Sequence, residues 1–330
     1  RVERFRQREV ELSVGSRWGV RRTLLRQQAR RALFAELSGR LEAVDLDVVH
    51  VAGLSGLTFA AARLARERGI PWVLSLYGEE FVRFEGPPAG VTDRLKRRLS
   101  LLRLGWLLAD CAGITASGRH LGAMVRDLGL RPEAPFIPNG VDVDVVTPAD
   151  ADERAGLRLR HALPPDRPVV LSIQGLAGRK GSHNLLDAFA RARASRPDAF
   201  LVVVGAGGDL DALKRRVAAE GLSDSVRFMG FQPHAVCVDL YRAADLYLQL
   251  PLHEEGVSQT ALEAQAAAIP VVLGRCPAME DSVKPGGTGI LVDSLDAAEA
   301  GGAVAALLAD PARARRMGQE GRRWVCEAFS

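Results

Sequence analysis

From residue 46 onward the chain alternates short runs of Val, Leu and Ile with longer stretches that repeat apolar residues at helical spacing. The runs fall at 46–51, 72–76, 112–116 and 134–137, then at 168–173, 200–204, 226–229, 246–250, 270–273 and 289–292. They are mostly apolar without interruption rather than at every second residue, which predicts strands covered on both faces, as in a parallel sheet. Between them, 57–68 sets Leu57, Ala60, Ala61 and Leu64 on one helical face, and 185–194, 210–219 and 261–268 read the same way. Such alternation implies βαβ units and an open sheet with helices on both sides. The rhythm breaks at 146–167, where Pro148, Pro164 and Pro165 stand among charged residues, which marks an expected linker. The expected architecture is α/β, with two Rossmann-like domains, 1–150 and 151–330, whose mostly parallel sheets face across a cleft. Ligands of such sheets bind beyond the carboxyl ends of the strands. Residues 1–45 lack this rhythm and carry 11 Arg with one expected helix at about 21–42.

Composition narrows the function classes. Residues 1–150 hold 23 Lys/Arg against 18 Asp/Glu, so the slight excess of positive charge, +4 over the chain, lies in the first half. That half can attract phosphates or anionic lipid, or can simply be a solvated Arg-rich surface. Nucleic-acid binding is not expected, because no recognition motif or set of stacking aromatics accompanies the arginines. Four cysteines without a close pair argue against a disulfide framework or zinc knuckle and fit a reducing cytoplasm. No stretch approaches the roughly 20 apolar residues of a membrane span. The three D-x-D tripeptides, at Asp45, Asp142 and Asp209, are not expected to hold a metal, since hard cations need several converging oxygens. Gly205-Ala206-Gly207 lacks the third glycine of a dinucleotide fingerprint.

The densest chemistry lies at Glu254-Glu255-Gly256-Val257-Ser258, followed by Glu263 eight positions after Glu255. A strand, a glycine-containing loop and a helix capped by Ser258 are expected here. Free backbone N–H groups and the positive helix end would then make an anion site. Taken alone, a glutamate near a helix start is common because the macrodipole favours it.

The surrounding residues resemble glycosyltransferase family 4, the large retaining group with the GT-B fold. Glu255-Gly256-Val257-Ser258 and Glu263-Ala264-Gln265-Ala266 through Pro270-Val271-Val272 follow its E-G-x-G/S and E-A-x-A-x-G-x-P-V-V signature. In the family's order come Pro138-Asn139-Gly140-Val141-Asp142, Lys180-Gly181 with Ala188-Phe189, Val204-Gly205-Ala206-Gly207, Phe228-Met229-Gly230, and Thr288-Gly289-Ile290-Leu291-Val292. The run from Phe228 to His234 is similar to enzymes that build exopolysaccharide, of the colanic-acid type. The resemblance implies a sugar moved, with retention, from a UDP- or GDP-linked donor to a glycan or lipid-linked acceptor, without a metal or other cofactor. Glu263 would bind the donor ribose, Glu255 would face the sugar, and the backbone of Gly256, Val257 and Ser258 would hold phosphate. Lys180 would neutralise the leaving diphosphate as charge develops on it.

Departures from the pattern refine these expectations. Gly175 stands where the family carries an Arg before the Lys, and Arg179 is the candidate substitute, its planar fork suited to phosphate. Tyr77 replaces a histidine in the first domain; it can hydrogen-bond a sugar or acceptor hydroxyl, or simply end a strand. The first βα unit with its Gly-rich turn and the final crossover helix are expected to be missing from this stretch of sequence. With these gaps, a non-catalytic descendant that binds a nucleotide sugar or a partner is the alternative. Arg94 to Trp106 reads as a basic amphipathic helix, suited either to a core or to peripheral contact with an anionic membrane at the inner face of the cell.

Overall fold

The computed structural model describes residues 31–42, 44–78, 88–131, 133–252, 256–284 and 287–330. The chain divides into two compact units: one runs to Ser117 and includes Leu121–Ile137, the other comprises Pro138–Ser330 with Gly118–His120. The part of the expected first helix before residue 31 lies outside the described residues; 31–40 is helical and forms α1.

Among its described residues, the first unit holds three parallel strands in the order β1 (Val49–Ala52), β2 (Trp72–Leu76) and β3 (Gly113–Ala116). Between β1 and β2, helix α2 (Gly56–Arg68) starts at a Ser55/Thr58 capping box and stops where Gly69 turns left-handed and donates to the Ala65 and Arg66 carbonyls. Trp72, Leu74, Leu76, Leu107, Leu121 and Val125 close the core; each contributes roughly 1.5–3 kcal/mol by leaving water. A fourth strand, expected at 134–137, is a single parallel bridge from Ala116 to Phe136. Pro135 and Pro138 flank Phe136 and Ile137 and have no N–H to extend the ladder. Helix α3 (Val91–Leu108) follows β2 and helix α4 (Arg119–Asp127) follows β3.

The second unit carries six parallel strands, β4 (Val169–Ile173), β5 (Phe200–Val204), β6 (Val226–Gly230), β7 (Leu246–Gln249), β8 (Val271–Gly274) and β9 (Gly289–Val292). Their spatial order is β6-β5-β4-β7-β8-β9. The chain therefore winds one way from β4 to β6, returns to the middle, and winds the other way from β7 to β9. This is the doubly wound 3-2-1-4-5-6 order, with a topological switch point between β4 and β7. The helices are α6 (Ser182–Ser195), α7 (Leu210–Ala219), α8 (His234–Ala243), α9 (Gln259–Ala266), α10 (Pro277–Glu280), α11 (Ala297–Ala309) and α12 (Pro311–Ala328).

The proline-rich stretch expected as a linker contains helix α5 (Ala151–Arg160), started by an Asp150/Glu153 capping box. Its charge hides the helix from an apolar count, and it is held by Arg158 instead. The Arg158 guanidinium is buried and donates to the carbonyls of Ala243, Pro165 and Arg167 and to Asp245 Oδ2, which also accepts from Val169 N. Among the described residues, no helix is long and apolar enough to cross a membrane.

Candidate functional site

In the second unit the loops leaving β4 and β7 meet at the switch point. After β4 the chain runs through Gln174 and Gly175 into a 3-10 turn, Gly178–Lys180, and then into α6. Leu252 N donates to Arg179 O at 3.0 Å, which ties this turn to the end of β7. Gly181 makes the approach possible: its φ is +69°, and a Cβ there would stand 1.6 Å from Leu250 O. Gly205 serves the loop after β5 in the same way, with φ +135° and a Cβ position 1.9 Å from Gln174 O. The expected turn residues thus work as spacers, and they set Arg179 and Lys180 against the carboxyl end of the central strands. Gly175, in the place of the family's arginine, is exposed with open space where a side chain would be. Beside it Gln174 is buried, and its amide makes no hydrogen bond.

The loop after β7 ends on Ser258, the cap of α9, whose Oγ accepts from Ala261 N. A polar network inside the sheet fixes this cap. Ser258 Oγ donates to Gln249 Oε1 at 2.8 Å, and Ser258 N donates to Ser282 Oγ at 2.9 Å. The Tyr247 hydroxyl lies 2.7 Å from Thr260 Oγ1 and donates to Ile173 O at 3.0 Å, so the network reaches across from β7 to the end of β4. Burial is the first cause that pushes the Tyr247 pKa up, and the phenol stays a neutral hydrogen-bonding group. Val257 is buried, and Gly256 precedes it. Glu255 lies outside the described residues.

Glu263 sits in α9 and is 7% exposed. Its Oε1 is 3.1 Å from His234 Nε2 and 3.5 Å from Gln259 Nε2. The structure therefore gathers Ser258, Val257, Gly256 and Glu263 on one loop and helix start, and Arg179 and Lys180 on the adjoining turn, all within the second unit. Tyr77 belongs to the first unit, at the end of β2, and is 37% exposed. Tyr247, Gln249 and Thr260 escape a motif-based reading, and His234 enters one only as the end of the Phe228–His234 run, with no role attached. Tyr247 and Gln249 are spaced as ordinary strand residues, and the contact of His234 with Glu263 is signalled only by its i, i+3, i+7 spacing with Cys237 and Tyr241.

Comparison with known proteins shows the family. The family described as glycosyl transferases group 1 matches residues 154–324, more than half of the chain, and the family described as Glycosyltransferase Family 4 matches residues 3–145. Among curated relatives, a GDP-mannose-dependent alpha-(1-6)-phosphatidylinositol monomannoside mannosyltransferase of Mycolicibacterium smegmatis is 37% identical over 197 residues, 58% of this chain and 51% of that protein. A 2-deoxystreptamine glucosyltransferase of Streptomyces kanamyceticus is 28% identical over 288 residues, 86% of this chain and 73% of that protein. Among solved structures, Alr3699/HepE of Anabaena in complex with UDP-glucose superimposes with a TM-score of 0.75 at 19% identity, over 94% of this chain and 85% of that one. The matches span about half the length of the curated mannosyltransferases.

Proposed function

The chain belongs to the group 1 glycosyl transferases, in family 4 with the GT-B fold, and from that premise we propose that it transfers a sugar from a nucleotide donor to a lipid-linked or glycan acceptor in cell-envelope synthesis. The observation that carries this reading is the coincidence of three features in one place: a doubly wound switch point, a capped helix start, and a buried glutamate in that helix. A nucleoside diphosphate sugar matches them part for part. The diphosphate meets the start of α9 and the 3-10 turn, and the ribose diol meets Glu263. The buried Gln174 amide, which has no protein partner, is a further polar group that a ligand can satisfy.

In the reaction the bond between the anomeric carbon and the diphosphate oxygen breaks, and its electron pair stays on that oxygen. Lys180 and Arg179 offset the charge that builds there. The acceptor hydroxyl bonds to the anomeric carbon and gives its proton to the departing diphosphate oxygen, and the configuration is retained. Glu255 is assigned to the sugar hydroxyls and Tyr77 to the acceptor. Neither a metal nor an organic cofactor is assigned a role. Because the curated relatives named for their donor use GDP-mannose, GDP is the first nucleotide to test, with UDP beside it.

The acceptor class has support from α3. Val91, Leu95, Leu99, Leu102 and Trp106 are all exposed, Val91 at 81% and Trp106 at 65%. At about 100° per residue they fall within an arc of roughly 80°. Arg94 and Arg98 border one side of that stripe, and Lys96 and Arg103 the other. Such a face suits a helix that lies on an anionic lipid surface. Vesicle flotation at low salt should recover the chain with phosphatidylinositol-containing liposomes and not with purely zwitterionic ones; equal recovery would refute the lipid assignment.

A second reading, a binding protein without turnover, has Gly175 in its favour. Calorimetric titration with GDP- and UDP-sugars, followed by single-turnover assays, separates the two. Binding without transfer to any lipid or glycan acceptor would favour the second reading. Loss of binding in Glu263→Ala is expected under both.

A further inference from the structure

We propose that His234 is a positioning residue for the Glu263 carboxylate, and that their hydrogen bond sets how sharply the site prefers a ribonucleotide over its deoxy counterpart. The inference rests on the assignment of Glu263 to the donor ribose and goes beyond it.

One face of α8 is directed at Glu263. His234, Cys237 and Tyr241 stand at i, i+3 and i+7, spacings that share a helical face. His234 is the first residue of the helix and brings Nε2 to 3.1 Å from Glu263 Oε1. Burial leads the causes that push the pKa of the Cys237 thiol and the Tyr241 phenol upward, and the Glu263 charge adds to both, so both groups lie near the carboxylate. From α9 itself, Gln259 reaches the same oxygen at 3.5 Å. The two nitrogen neighbours thus converge on Oε1, and among the described residues no hydrogen bond falls on Oε2.

That asymmetry has a chemical meaning. An ionised carboxylate offers about four lone-pair directions, and a vicinal diol uses two that lie in the carboxylate plane. The last torsion of a glutamate is broad, so an unrestrained carboxylate samples many planes. A proton held on His234 Nε2 fixes the plane through Oε1 and leaves Oε2 and the remaining Oε1 direction for the two ribose hydroxyls. Without it, Glu263 can turn further toward the phenol of Tyr241, which already lies close enough for Glu263 to raise its pKa through a weak hydrogen bond and whose hydroxyl has no closer partner among the described residues. His234 acts through Glu263 alone, so its effect is confined to the ribose and does not reach the diphosphate.

The test is calorimetric titration of the full chain with GDP, UDP, their 2′,3′-dideoxy forms and inorganic pyrophosphate. The wild type should bind each ribonucleotide about tenfold or more tighter than its dideoxy form, as expected for hydrogen bonds to a charged group. His234→Ala should cut that preference about three- to tenfold by weakening the ribonucleotide alone. His234→Gln, whose amide N–H reaches as far as Nε2, should restore most of it. An unchanged preference in His234→Ala, or an equal weakening of pyrophosphate, overturns the inference while leaving the nucleotide site intact. A wild type that binds no nucleotide, or that shows no ribose preference, overturns the donor assignment and this inference together. Melting curves of both variants should match the wild type, since the His234 side chain is 60% exposed.

Discussion

Gly181→Ala tests the core of the site geometry in one methyl group. Two costs add. A non-glycine residue at φ +69° loses roughly 1–2 kcal/mol to left-handed backbone strain. The new Cβ would also stand 1.6 Å from Leu250 O, a backbone atom of the neighbouring loop. The loops must part by about 1.5 Å to reach contact distance, an overpacking cost of roughly 1–3 kcal/mol. The sum is about 2–5 kcal/mol, which for a unit of this size lowers the Tm by about 5–15 °C. The same movement carries Arg179 and Lys180 away from the end of β7, because Leu252 N is bonded to Arg179 O. A displacement near 1 Å can cost on the order of a hundredfold in rate when it misplaces a positioned charge, and it should weaken GDP binding as well. The assay pairs thermal melting with GDP titration at a temperature where the variant is fully folded. Gly208→Ala, where a Cβ meets nothing within 4 Å, is the control and should match the wild type in both. A folded Gly181→Ala that melts and binds GDP like the wild type would refute the argument that this glycine holds the turn in place.

Four other outcomes follow from the same structure. Ala268 holds a φ of +59° where the family pattern has glycine, so Ala268→Gly should raise the Tm, by about 1 kcal/mol of relieved strain. Adjacent glycines of α11 should respond oppositely: Gly302→Ala, with open space around it, should stabilise by about 0.5–1 kcal/mol, whereas Gly301→Ala drives a Cβ to 2.6 Å from Ala188 O and should lower the denaturation midpoint. Arg158→Ala takes the donor from three carbonyls and one of two arginines from Asp245, which keeps Arg154 and Val169 N, and should cost about 2–4 kcal/mol in urea unfolding. The buried phenols of Tyr241 and Tyr247 have pKa values raised first by burial, so the native state keeps protons that the unfolded state releases. Stability should therefore be intact below about pH 10 and fall above it, by up to about 2.7 kcal/mol per pH unit for two groups. In a Tyr77→Phe background, tyrosinate absorbance should rise only together with unfolding; a rise that precedes it would contradict the burial.

How much of this was written in the sequence depends on the kind of signal. Continuous apolar runs located β2, β5 and β9 to the residue, because a buried parallel strand needs no alternation and stops where turn residues begin. The cap at Ser258 was equally legible, since its chemistry is local. The run at 134–137 misled, because apolarity reports burial and not hydrogen bonding, and the neighbouring prolines remove the donors. Helix α5 went unseen for the opposite reason: its anchor, Arg158, is a charge satisfied by carbonyls distant in sequence. Candidate residues carried by a motif, Glu263, Ser258 and Lys180, could be named in advance. Tyr247, Gln249 and Thr260 could not, because their value lies in a network that forms only when β7 is laid beside β4.

The pairing of β4 with β7 has a mechanical consequence. β4 is zipped to β5 over five register pairs but to β7 over only two, Val170 with Leu246 and Leu171 with Tyr247. The six-stranded sheet thus has its shortest backbone ladder at its middle, bridged by one shared core, and that seam ends beneath the loops that hold Arg179, Lys180 and Ser258. A molecule seated there touches both sides of the seam. Its binding energy is then also clamping energy, which adds to that core in holding together two halves that the backbone itself joins only lightly.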